Sequence, residues 1–246
     1  MDKHRIKQAV ILSAGLGTRL RPLTDGIPKV MVPVAGKPLL EWHIEQFKKH
    51  GISDFFVNLH YLPDAVKNYL GDGTKFGVNV NYSYEPEILG TAGGVKQFAG
   101  KLENVFFVMY GDMFSLVDYS KMAEAFFKLP EDALGMMIVG RNDHPYDSDV
   151  VEVDGNMKFL KIYRKPHEYD KLPDNFRTLD AGYIFRKKIL DYVPEGKYYE
   201  IDHELLPDIV SRGERFYGHE TEDYLYDIGT MERLSQVEEY AKNHSF

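Results

Sequence analysis

The sequence contains no cysteine. That removes disulfides, thiolate metal sites and cysteine nucleophiles together, so any chemistry must come from oxygen and nitrogen side chains. No apolar run approaches the ~20 residues that cross a bilayer, and Met1-Asp2-Lys3-His4-Arg5 lacks the apolar stretch of a secretory leader. No membrane association and a cytoplasmic location are therefore expected. Thirty lysines and arginines face 38 acidic residues and never gather into a block, so a net charge of -8 opposes a phosphate polymer and nucleic acid is not an expected partner. A small phosphorylated ligand stays open, because a few cations and backbone amides can hold one locally. The nine histidines show no H-x-x-x-H spacing and no G-x-S-x-G elbow occurs, which leaves zinc and serine hydrolysis without support.

What is present is an ordinary globular composition, 43% hydrophobic and 28% charged, enough for one substantial α/β core. Residues 8–13 read as a strand. Residues 38–50 read as a helix, with Leu39, Leu40, Trp42, Ile44 and Phe47 among polar residues and Gly51 as the stop. Strands over 54–59, 79–84 and 105–110 follow, separated by helical stretches around 65–70 and 92–98. The repeat of strand, helix and strand predicts an α/β, Rossmann-like mixed and mainly parallel sheet flanked by helices. After a helix over 119–127, strands over 133–139, 150–153 and 159–163 are joined by short turns such as Asp154-Gly155-Asn156, which predicts a small antiparallel insertion. A strand over 178–185 and helices over 203–211 and 232–242 complete the reading. The polar loop at 166–175 is too short to separate domains, so residues 1–246 are expected to form one.

The first strand runs into Ala14-Gly15-Leu16-Gly17-Thr18-Arg19 and, after a short gap, Pro28-Lys29. Two glycines let backbone N–H groups approach a ligand, and successive amides in such a turn make a concavity for an anion. Arg19 and Lys29 add a bidentate donor and a point charge, the pair that phosphoryl chemistry needs as negative charge develops. A dinucleotide fingerprint wants glycine where Leu20 stands, and no Gly-Lys pair precedes Ser or Thr, so neither that template nor the Walker loop fits. Asp112 follows the apolar run 105–109 just beyond the carboxyl end of a predicted central strand, where ligand crevices of open sheets lie. On their own, Asp112 is equally a turn former, Asp227 or Thr230 a helix cap, and Lys165 an exposed loop lysine.

The segment Gly15-x-Gly17-Thr18-Arg19-Leu20-x-Pro22-Leu23-Thr24, with Pro28-Lys29 and Pro33-Val34, resembles the signature of sugar-1-phosphate nucleotidyltransferases. Leu89-Gly90-Thr91-Ala92-Gly93, Tyr110-Gly111-Asp112, Arg164-Lys165-Pro166, Ala181-Gly182-Tyr183 and Asp227-Ile228-Gly229-Thr230 recur in that family's order. The resemblance implies a nucleoside triphosphate and a sugar 1-phosphate as substrates, Mg2+ as cofactor, and a homodimer as one possible assembly. It implies Arg19 and Lys29 as the triphosphate-holding catalytic pair, and Asp112 and Asp227 as metal ligands. Ala14, Gly15, Leu16, Gly17, Thr18, Glu85, Gly90 and Thr91 would then face the nucleotide, and Lys165, Asp180 and Gly111 the sugar phosphate.

Two positions depart from the family pattern. Arg164 stands where Glu is common before Lys-Pro, and Asp180 where Asn is common before Ala-Gly, which leaves the sugar open. The segments 147–152 and 164–167 resemble a branch acting on manno-configured hexose or heptose 1-phosphates. For the base, Glu85 can accept from the two adjacent donors of guanine, N1–H and N2–H, so GTP is the expected nucleotide. Uridylyl or thymidylyl transfer, cytidylyl transfer to phosphocholine, and a non-catalytic nucleotide-sugar sensor are the alternatives. No hexapeptide repeat follows Lys242, so no C-terminal β-helix is expected.

Overall fold

The computed structural model describes residues 5–141, 146, 148–168 and 171–244; residues 1–4, and Asp147 of the 147–152 segment, lie outside the described residues. In chain order the strands and helices are β1 Gln8–Leu12, β2 Pro33–Val34, β3 Lys37–Pro38, α1 Leu39–Lys49, β4 Asp54–Leu59, α2 Pro63–Leu70, β5 Asn79–Tyr84 and α3 Gly90–Lys96. Then come β6 Val105–Tyr110, β7 Met113–Ser115, α4 Tyr119–Phe126, β8 Gly135–Gly140, β9 Val150–Val153, β10 Phe159–Tyr163 and β11 Phe176–Arg186. The last are α5 Leu206–Ser211, β12 Phe216–Glu220, β13 Leu225–Asp227 and α6 Met231–Asn243. The chain divides into two compact units.

The first unit comprises Ile6–Ile88, Val108–Tyr119 and Asp223–Phe246. Its strands follow the order β6-β1-β4-β5, with β1, β4 and β5 parallel and in register from Gln8↔Asp54 and Asp54↔Asn79. The near-continuous apolar run of β1 suits a parallel strand covered on both faces. Helix α1 buries Leu39, Leu40, His43, Ile44 and Phe47, the i, i+4 stripe of a one-sided helix. Lys48 and Lys49 in its last turn favour the negative end of the helix dipole, and Gly51, at φ 83°, ends it. Two short antiparallel ribbons complete the unit, β2 with β3 and β7 with β13. Beneath them lies a core of Leu20, Val32, Val34, Leu39, Phe114 and Ile228 with Leu234, Val237 and Ala241 of α6. Leu20, which follows Arg19, and Ile228, which follows Asp227, are thus anchored in one apolar cluster.

The second unit contains Leu89–Phe107 and Ser120–Glu222. Its order is β10-β9-β11-β6, with β8 pairing β11 and β12 pairing β8. The β9–β10 hairpin is the antiparallel insertion expected from sequence; Asp154 Oδ1 accepts from the backbone N–H of Asn156 (2.8 Å) and Lys158 (2.9 Å) and so closes its turn. Edge-on rings of Phe159, Phe185 and Phe216 fill its core.

Several elements differ from the sequence reading. The helix expected over 203–211 is a π-helical turn, Ile201–Leu205, followed by α5. Pro207 at the head of α5 cannot donate the next backbone hydrogen bond, which accounts for a widened turn before it. β12, parallel to β8, and the ribbon strands β7 and β13 were not anticipated. The cap of α6 is Thr230, whose hydroxyl accepts from Arg233 N (3.2 Å), while Asp227 sits in β13.

Candidate active site

In the first unit, β1 ends at Leu12 and the glycine loop begins. Gly17 adopts φ 64°, and its carbonyl accepts from Leu20 N (3.0 Å) and Thr24 Oγ1 (2.7 Å), so this glycine is required by the turn itself. Gly15 is different. A Cβ there would meet nothing within 4 Å, so neither packing nor backbone conformation accounts for it, and its bareness leaves the loop's amides approachable. Ala14 is buried and Leu16 is 42% exposed. Thr18 and Arg19 lie in the short 3-10 turn Thr18–Leu20, which Leu20 anchors in the core.

Lys29, in a second 3-10 turn, reaches Asp112 Oδ2 at 2.5 Å with 11% of its side chain exposed. Asp112 arrives there because β6 closes on β1: Gly111 N donates to Leu12 O (2.9 Å), and a Cβ on Gly111 would lie 2.6 Å from that oxygen. Packing therefore explains this glycine, which sequence assigned to the sugar. Neutral His43, its pKa lowered to about 4 by burial, lies with Nε2 3.3 Å from Gly111 O and fixes the same strand end.

The β7–β13 ribbon brings the second carboxylate in. Asp227 pairs with Met113, and Ile228 N donates to Asp112 O at 2.9 Å, so the two aspartates become neighbours although far apart in sequence. Asp227 Oδ1 accepts from Gly229 N (2.7 Å) and Oδ2 from Arg233 Nη1 (2.5 Å). A Cβ built on Gly229 would lie 3.3 Å from Arg19 Nη2, which sets the Arg19 guanidinium against the same turn. Arg19, Lys29, Asp112 and Asp227, all expected from sequence, thus meet in one unit, joined by Arg233. The donor set fits Mg2+, a hard cation that takes one or two carboxylates and keeps several waters. Among the described residues no group of three or more His, Cys, Asp or Glu side chains forms a fuller cage.

Glu85, expected from sequence to accept from guanine, lies inside this unit. It is 1% exposed, and Oε1 accepts from Asn58 Nδ2 at 2.8 Å. Asn58 Oδ1 in turn accepts from Ser13 N at 2.7 Å, so the buried carboxylate acts through Asn58 on the first residue of the glycine loop. Sequence reasoning missed Asn58, although a polar residue inside Phe55-Phe56-Val57-Asn58-Leu59 is the signal for a buried hydrogen-bonding group. Arg233 was missed too, and no local pattern marks it.

In the second unit, Gly90 at φ 73° packs on the backbone of Tyr199, whose carbonyl accepts from Ala92 N (2.9 Å) and Gly93 N (3.1 Å). Thr91 Oγ1 accepts from Ile201 N at 2.7 Å. These contacts tie the 89–93 segment to the π-helical turn. Lys165 N donates to Asp149 Oδ1 (2.9 Å), and Arg164 Nη1 to His203 O (3.2 Å), so the loop carrying both cations is held to that same turn. Asp180 on β11 is exposed, but its carboxyl lies against Gly140, where desolvation pushes it up to about 6; solvent on the exposed side weakens that effect.

The sequence matches the model of a nucleotidyl transferase domain over residues 8–244. The chain belongs to the nucleotidyl transferase family. It is 33% identical over 238 residues to the UTP–glucose-1-phosphate uridylyltransferase of Synechocystis sp., covering 91% of this chain and 60% of that protein. It is 30% identical over 234 residues to the mannose-1-phosphate guanylyltransferase of Mycobacterium tuberculosis, covering 94% of this chain and 63% of that one. The chain thus spans less than two thirds of the length of these two relatives. The solved structure of HddC from Yersinia pseudotuberculosis complexed with GMP-PN superposes with a TM-score of 0.77 at 26% identity, covering 96% of this chain and 99% of that one.

Proposed function

We propose that this nucleotidyl transferase joins a sugar 1-phosphate to a nucleoside triphosphate, releasing pyrophosphate. The observation that carries the reading is the meeting of Lys29 and Asp112 (2.5 Å) with Asp227 beside an open glycine loop. An oxygen of the sugar phosphate attacks the α-phosphorus in line; the new O–Pα bond forms as the Pα–O bond to the β-phosphate breaks, and pyrophosphate leaves with the electron pair. The loop amides, Arg19 and Lys29 hold the triphosphate, Lys165 holds the sugar phosphate, and no side chain forms a covalent intermediate. Asp112 and Asp227 hold Mg2+, which supplies further neutralisation of the phosphate oxygens.

GTP and a manno-configured hexose or heptose 1-phosphate are the proposed pair. Support comes from the sequence segments at 147–152 and 164–167, from the mycobacterial guanylyltransferase relative, and from HddC, whose structure contains GMP-PN. The 33% identity to the Synechocystis uridylyltransferase favours UTP and glucose 1-phosphate as the second reading. Initial rates with GTP, UTP and dTTP against mannose, heptose and glucose 1-phosphates test the choice. A preference for GTP with a manno sugar is expected; a preference for UTP with glucose 1-phosphate replaces it with the second reading.

A further inference from the structure

Arg233 lies outside every motif of the sequence, yet it is built into the metal-ligand pair. The Thr230 hydroxyl accepts its backbone N–H and fixes the first turn of α6, and from that turn the guanidinium points back to Asp227 Oδ2 at 2.5 Å. Gly229 N occupies the other carboxylate oxygen at 2.7 Å, so both oxygens of Asp227 are engaged. A divalent cation binding Oδ2 would meet the guanidinium at a separation where like charges repel appreciably even in partly aqueous surroundings. The two cations therefore compete for one oxygen.

We propose that Arg233 is a positioning residue that keeps Asp227 paired and oriented until a divalent cation takes the carboxylate, so that metal binding and release of Arg233 are a single exchange. The inference rests on the proposed role of Asp227 as a metal ligand. Its mark is a sign: removing a residue that merely shapes the site weakens metal binding, whereas removing a competitor strengthens it.

The test uses the full chain without nucleotide and Mn2+ as a paramagnetic replacement for Mg2+, since both suit carboxylate and water ligands. Free Mn2+ is titrated by EPR with the unaltered protein, Arg233→Met, Arg233→Gln and Asp227→Asn, each checked for fold by circular dichroism. Arg233→Met is expected to bind Mn2+ about threefold to fivefold more tightly, the scale of a partly exposed ion pair. Arg233→Gln gives the same comparison if the methionine variant does not fold. Unchanged or weaker binding in the folded neutral variants, with Asp227→Asn impaired, overturns the exchange alone. Unchanged binding in Asp227→Asn removes the metal role of Asp227 and the inference with it.

Discussion

Lys29 is held 2.5 Å from Asp112 with little solvent around it, so under the proposed function its ammonium is placed before any ligand arrives. Lys29→Ala and Arg19→Ala are each expected to lower kcat by at least ~100-fold, the loss that follows removal of one oriented charge-stabilising donor. Steady-state kinetics on folded variants check this, and normal turnover in both would remove the loop from the mechanism. Glu85 carries a different expectation. Because its carboxylate holds Asn58 and, through it, Ser13, Glu85→Gln should leave the ratio of rates with GTP and UTP unchanged, while Asn58→Leu lowers both. A selective loss of GTP use in Glu85→Gln would return Glu85 to the base. Asp180 gives a pH signature. Its carboxyl, raised from 3.8 to about 6 mainly by desolvation, keeps a proton in the native state after the unfolded chain has lost it. Native stability therefore falls as pH rises through that window, by less than the whole shift because Asp180 is exposed and solvent screens its charge. Asp180→Asn should melt higher than the unaltered protein at pH 7.5 and equally at pH 3.5; no difference at either pH would show the carboxyl to be fully solvated.

At the scale of elements, the carboxylate pair depends on a ribbon of two three-residue strands, β7 and β13, and on the cap of the helix that follows. Thr230→Ala removes the hydroxyl that accepts from Arg233 N and should cost ~1 kcal/mol, lowering Tm by roughly 2–4 °C in a chain of this length. Thr230→Ser should restore it, as differential scanning calorimetry can measure. The long strands were legible in the sequence because their signal is local: β4 and β6 are six-residue runs dominated by apolar and aromatic residues, and β5 alternates Val80, Tyr82 and Tyr84 with polar residues. The ribbon was not. Three residues carry no periodicity, and the partner of Phe114 is Tyr226, a pairing that only the folded chain creates. The same limit applies to the π-helical turn, where the periodicity of residues 203–211 announces a helix but only Pro207 hints that its first turn is irregular.

For the whole molecule, the motifs singled out Arg19, Lys29, Asp112 and Asp227, and these four side chains converge in the fold. They did not reveal why each glycine is a glycine: Gly111 and Gly90 are required by close backbone contacts, whereas a Cβ on Gly15 would meet nothing within 4 Å. Nor could they show that Glu85 is enclosed, because burial is a property of the assembled sheet. The central claim is nucleotidyl transfer itself. It is tested most directly by incubating the chain and Mg2+ with GTP and mannose 1-phosphate, and with the other triphosphate and sugar phosphate pairs, and measuring pyrophosphate and nucleotide-sugar together. The account predicts equal amounts of both products, formed only when both substrates and the metal are present, and lost in Asp112→Asn. Nucleotide binding without pyrophosphate release from any pair, or pyrophosphate formed without a sugar phosphate, would contradict it.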